Sequence, residues 1–126
     1  MVHLEDLQEG NLLKSSSSLS SLLLVFVGGA LGSTSRWFLG ELITNGVLVL
    51  LMVNVLGTAL AGYIAFSASR SERSRLFWIP GFAGGFTTFS SLAYFMTELG
   101  LVESALLAGL TLFLSLALLA TMAKKS

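Results

Sequence analysis

The chain has 126 residues, 54% of them hydrophobic and 11% charged, with zero net charge and no cysteine. One soluble domain of this size needs more polar surface than these residues supply, and disulfides and thiolate metal sites are excluded. A balanced charge with no basic surface also gives nucleic acid nothing to bind.

Residues 1–18, "MVHLEDLQEGNLLKSSSS", read as a short polar tail. Glu5, Asp6 and Glu9 outnumber Lys14 there, unlike the basic start of a signal peptide. The single histidine, His3, lies in this tail and carries no assigned role. Four uncharged runs follow, at 15–35, 44–69, 76–97 and 104–123. Each is about 20 mostly apolar residues, the length a helix needs to cross hydrocarbon. They predict an all-α membrane protein, its residues 19–123 forming four short transmembrane helices at about 19–39, 47–66, 79–98 and 104–122. "GELITNG" turns after the first, "SASRSERSR" (67–75) is the one polar loop, and "ELGLVE" turns into the fourth before "KKS". Pro80 suits the first turn of the third helix, where its missing N–H costs nothing.

Four spans put both termini and the 67–75 loop on one side. That side holds Lys14, Arg70, Arg73, Arg75, Lys124 and Lys125, six of the seven basic residues, while Arg36 falls toward the other. Basic residues stay cytosolic, so a multi-pass protein of the cell membrane with both termini on the cytosolic side is expected. Small residues recur at four-residue spacing: Gly28 and Gly32, Gly57 and Ala61, Gly81 and Gly85, Ala105 and Gly109. Such faces let helices approach closely in lipid. Four short helices enclose little interior, so a subunit this small that moves a solute needs a second copy or a partner.

The polar residues inside the spans carry the functional signal. Asn54 sits mid-span in "LLMVNVLGTALAG". It reads either as a helix–helix hydrogen bond or as a pore-lining donor without fixed charge. In "PGFAGGFTTFSSLAYF" (80–95), Gly81, Gly84 and Gly85 fall within five positions. Each costs about 1 kcal/mol of helix stability relative to alanine, which predicts a broken third helix. Irregular backbone at membrane depth survives only if buried or lining a polar cavity, and broken helices build ion sites from carbonyls and helix ends. Past the break, Thr87, Ser90 and Ser91 are expected on one helical face. Phe82, Phe86 and Phe89 are expected on another, as packing or as positive ring edges for an anion.

On the fourth helix Thr111 and Ser115 share a face, either bonding back to their own helix or completing a track of neutral donors with Asn54, Thr87 and Ser90. Arg36, near the end of the first helix, reads as a side chain that snorkels to the interface. No Asp, Glu, Lys or His lies mid-span, which argues against proton coupling and against an enzyme. Neutral donors beside one arginine suit a small anion bound weakly enough to conduct.

Three segments taken together, "GGALGSTSR" (28–36), "VNVLGTALAG" (53–62) and "GFAGGFTTFSS" (81–91), resemble the Fluc (CrcB) family of fluoride ion channels, over about residues 22–122. The resemblance implies an antiparallel dimer with two fluoride pores and a structural sodium ion at the dimer centre. It implies that the carbonyls of Gly84 and Thr87 hold the sodium and that Asn54 is the pore amide. Phe89 matches the first pore phenylalanine, Ser90 a nearby hydroxyl, Arg36 the family arginine and Ser115 a serine on the polar track. Thr111 stands where tyrosine is common.

The sequence departs from the family at three places. Leu92 replaces the second pore phenylalanine, Phe95 stands at a usual glutamate, and Val49-Leu50 replace a Gly-Thr pair. A six-to-one basic bias also opposes insertion in both directions. A heterodimer with an oppositely oriented paralogue is therefore expected, with the homodimer as alternative. Two other readings compete, a non-conducting assembly subunit and a small multidrug-type exporter. The second would need a carboxylate inside the first helix, and Glu41 lies past its end.

Overall fold

The computed structural model describes residues 3–125; Met1 and Val2 of the expected tail and Ser126 of the closing "KKS" lie outside the described residues. All regular structure among the described residues is helical. Helix α1 runs unbroken from Leu4 to Leu42, so it takes in the expected polar tail instead of starting near residue 19. Glu5 and Asp6 in its first turn complement the helix dipole. Two of the serines that follow turn back onto the helix: Ser17 Oγ donates to Lys14 O (2.9 Å) and Ser21 Oγ to Ser17 O (3.0 Å).

Helix α2 spans Gly46–Phe66, capped by Asn45, whose side chain accepts from the Leu48 N–H at 3.1 Å. The polar loop is shorter than expected, because Ser71 caps a helix at Glu72, accepting from the Ser74 N–H. This short helix, α3 (Glu72–Leu76), runs into a π-helical stretch, Phe77–Ala83. Pro80 therefore lies inside a helical segment and not in its first turn. It has no N–H to give the preceding turn, and the wider winding accommodates it: the Gly84 N–H reaches Ile79 O, five residues back.

One further turn, α4 (Gly84–Phe86), ends at Thr87, whose ψ of 158° is extended. After residues 87–89 the chain resumes as α5 (Ser90–Glu98), and α6 (Leu101–Lys125) closes the fold. The Gly100 N–H donates to Glu103 Oε2 at 2.8 Å, which fastens the turn between them. Helices α1, α2 and α6 are each long and apolar enough to cross a membrane. The third expected span is broken, but at residues 87–89 and not at its glycines: Gly81, Gly84 and Gly85 stay helical, and the chain opens only where Thr87 turns extended.

Glycines set how the pieces meet. A Cβ on Gly28 would strike Phe77 O, one on Gly32 would strike Phe82 O, and one on Gly85 would strike Gly29 O. Helix α1 thus lies backbone to backbone on the π-helical stretch and α4, as the spacing of small residues predicts. On α2, Gly57 gives room to the Thr87 methyl and the Phe86 ring. The fourth pair differs: Ala105 and Gly109 are exposed, and a Cβ on Gly109 would meet nothing within 4 Å. Among the described residues that face meets no neighbour at Gly109. Leu50, Val53, Ile64, Ala83, Phe86 and Leu107 form the buried core, while Leu22, Phe26, Leu112, Phe113 and Leu116 stay exposed, the surface that a bilayer would solvate.

Candidate functional site

Asn54 holds the break. Its Nδ2 donates to Thr88 O (3.2 Å) and its Oδ1 accepts from the Thr88 N–H (2.8 Å), so one amide pairs both peptide groups of a residue outside any helix. Without it, two backbone groups of a residue only 7% exposed would lack partners. Thr88 in turn organises α5. Its Oγ1 accepts from the Ser91 N–H (3.1 Å), capping the helix, and lies 3.1 Å from both Ser90 Oγ and Ser91 Oγ.

Arg36 does not snorkel away. It is half-buried, and its guanidinium donates to Thr87 O at 2.8 Å. The extended Thr87 leaves that carbonyl without a helical donor, and the fixed approach of α1 brings Arg36 within reach of it. Ser33, one turn earlier, reaches Gly85 O at 3.3 Å. Two side chains of α1 thus serve carbonyls that the break sets free.

The break also redistributes the expected faces. Phe82 and Phe86 stack at 5.7 Å between centroids, with Trp78 5.4 Å from Phe82. Phe89 leaves this ladder and is 78% exposed, because residues 87–89 do not continue the helix. Thr87 likewise parts from Ser90 and Ser91: its Oγ1 donates back to Ala83 O (2.9 Å), the last residue of the π-helical stretch, while the serines belong to α5.

Two cavities flank Thr88. One, of about 440 Å³, is lined by Asn54, Thr87, Thr88, Phe89, Leu92, Ala108, Thr111, Leu112 and Ser115, and no lining side chain is ionisable. The other, of about 450 Å³, includes Arg36, Thr44, Gly46, Ser90, Ser91 and Phe95. The structure therefore gathers Asn54, Thr87, Phe89, Thr111 and Ser115 in one cleft and places Arg36 and Ser90 in its neighbour. Thr111 Oγ1 donates to Leu107 O (2.8 Å), so its one O–H is spent within its own helix. Thr58 Oγ1, which sequence reasoning passed over, donates to Asn54 O (2.8 Å) and lies 3.5 Å from Ser115 Oγ. Its place four residues after Asn54, on the same helical face, was the available signal.

The donors for a cation at the break are peptide oxygens. Among the described residues no group of three His, Asp or Glu side chains gathers. The Thr88 N–H that would close the helical bond to Gly84 O goes to Asn54 instead, which frees the Gly84 carbonyl. Thr87 O carries the Arg36 bond and keeps a second lone pair. Hard, uncharged oxygens of this kind fit an alkali cation.

Fold and site together define an all-α membrane protein with a polar break in one helix, clamped by side chains of two others. The sequence pattern of the family described as "CrcB-like protein, Camphor Resistance (CrcB)" matches residues 23–124. The chain belongs to the CrcB family. It is 46% identical over 70 residues to "Fluoride-specific ion channel FluC 1" of Rhodococcus jostii, covering 56% of each chain. To "Fluoride-specific ion channel FluC 2" of Nitrobacter hamburgensis it is 38% identical over 116 residues, covering 76% of this chain and 94% of that one. A Thermus thermophilus relative, "Fluoride-specific ion channel FluC", is 44% identical over 80 residues, covering 57% of this chain and 64% of the relative. The chain thus spans little more than half the length of the Rhodococcus relative and about two thirds of the Thermus one.

Proposed function

We propose that this chain is a subunit of a fluoride-specific channel that lets cytosolic fluoride leave by passive conduction. The observation that carries the reading is the cleft in which Asn54, Phe89, Thr111 and Ser115 meet without any ionisable side chain. A fluoride ion gives up water only where other donors replace it. The Asn54 amide nitrogen has two N–H groups; one donates to Thr88 O, and the second is left for an ion. The ring edge of Phe89 carries partial positive charge of the same sign. With no fixed cation in the cleft the ion is released as readily as it is taken up, the condition for conduction.

The working unit in this reading is an antiparallel dimer across the broken helices, with both termini of this chain in the cytosol. Gly84 and Thr87 carbonyls would hold a sodium ion at its centre, whose charge would balance the partial negative charge of those oxygens. Arg36 orients Thr87 O for that task. Ser90 and Arg36 form the neighbouring chamber that passes the anion on. The partner is a related chain of opposite orientation, a reading supported by the six-to-one basic bias and by relatives numbered FluC 1 and FluC 2.

A second reading has its own observation. Leu92 lines the cleft where the family resemblance places a phenylalanine, and Phe95 reaches the chamber holding Arg36. A non-conducting partner subunit would tolerate both. Fluoride efflux from liposomes holding this chain alone, beside liposomes holding it with a co-expressed paralogue, separates the readings. Efflux is expected only with the paralogue. Efflux from the chain alone would establish a homodimer, and silence in both would favour the structural subunit.

A further inference from the structure

Away from the break, the C-terminal turns of α2 and α6 enclose a cleft of about 320 Å³ lined by Tyr63, Phe66, Ser67, Met122 and Lys125. Next to it the two helices meet closely at Gly62, where a Cβ would meet Leu119 Cδ2 at 2.6 Å and Met122 Sδ, a cleft residue, at 3.1 Å. The helices touch at that glycine, and the cleft opens beyond it toward the helix ends. The guanidinium carbon of Arg70 lies 6.0 Å from the centroid of the Tyr63 ring, which brings a second cation beside a residue of the cleft. Every lining residue is neutral or cationic.

We propose that this cleft binds the headgroup of an anionic phospholipid. Lys125 and Arg70 supply charge to the phosphate, and the hydroxyls of Ser67 and Tyr63 supply donors. Tyr63 and Phe66 are exposed aromatics at a helix end, the depth at which such rings sit in a membrane interface. A zwitterionic headgroup carries its own cation and gains less from two more. Basic clefts between helix ends at a membrane surface recognise anionic headgroups in this way. The proposal does not depend on fluoride conduction.

The test is the unfolding temperature of the purified full chain in mild detergent, on addition of dioleoyl phosphatidylglycerol, dioleoyl phosphatidylcholine or inorganic phosphate. Phosphatidylglycerol is expected to raise it by about 3–5 °C more than phosphatidylcholine, as a ligand of the folded state does, and phosphate is expected to leave it unchanged. Arg70→Gln/Lys125→Gln should lose most of that difference, and Lys14→Gln should keep it. Equal shifts from the two lipids, a full shift from phosphate, or a full shift in the double variant would overturn the assignment. Should the double variant not fold, native mass spectrometry of the wild-type chain decides. Preferential retention of phosphatidylglycerol supports the site and equal retention of both lipids removes it.

Discussion

Asn54 does two jobs with one amide, and substitutions can separate them. Asn54→Ala leaves the Thr88 N–H and carbonyl unpaired in a buried setting. At about 1–3 kcal/mol for each orphaned group, the variant should unfold several degrees lower in a thermal scan. Asn54→Asp keeps an acceptor for the Thr88 N–H but sets a carboxylate oxygen against Thr88 O and a negative charge in the cleft. Its fluoride efflux should fall at least about tenfold, the effect of 1.4 kcal/mol or more on the barrier; undiminished efflux would mean that Asn54 only braces the backbone. Arg36→Gln shortens the reach to Thr87 O and removes a charged hydrogen bond of about 1.5–3 kcal/mol. It should lower the unfolding temperature, and Arg36→Lys should recover only part of the loss, because a lysine lacks the planar fork.

At the scale of elements, glycines predict opposite outcomes for the same chemical change. Gly32→Ala drives a methyl into Phe82 O, so α1 must lift off the π-helical stretch, an overpacking cost of about 1–3 kcal/mol. Gly109→Ala meets nothing within 4 Å and gains about 0.5–1 kcal/mol of helix stability. Thermal unfolding of the two variants in detergent should move in opposite directions; a loss at Gly109 would show that α6 packs against another subunit there. The sequence pattern made the first contact legible, because small residues four apart mark a close-packed face wherever it lies. It could not show that the fourth pair is unmatched, since the same spacing stays silent about which helix, if any, faces it.

Much of the site was legible for a similar reason. An amide, three glycines and a run of hydroxyls are costly in hydrocarbon and stand out. Their partners were not legible. Thr88 joins Asn54 through its backbone, which has no sequence signature, and Phe89 left the expected aromatic stripe because periodicity cannot be carried across a break. Arg36 turned inward because a carbonyl 51 residues away was left open.

For the whole molecule, polarity within one chain is the decisive property. Lys14, Arg70, Arg73, Arg75, Lys124 and Lys125 against Arg36 alone predict one orientation. Single cysteines at Ser69 and Ser126 should react with an impermeant thiol reagent only when the cytosolic face is opened. Labelling of both in intact cells would reverse the orientation.

Helix α1 extends that argument beyond charge. Its 39 residues make a rod of about 58 Å, nearly twice the roughly 30 Å of hydrocarbon. A probe fused to its first turn therefore stands clear of the headgroups, like a lamp on a mast. In an antiparallel pair, two such lamps shine into different compartments and exchange little energy by resonance transfer. In a parallel pair they stand in one compartment, within reach of such transfer.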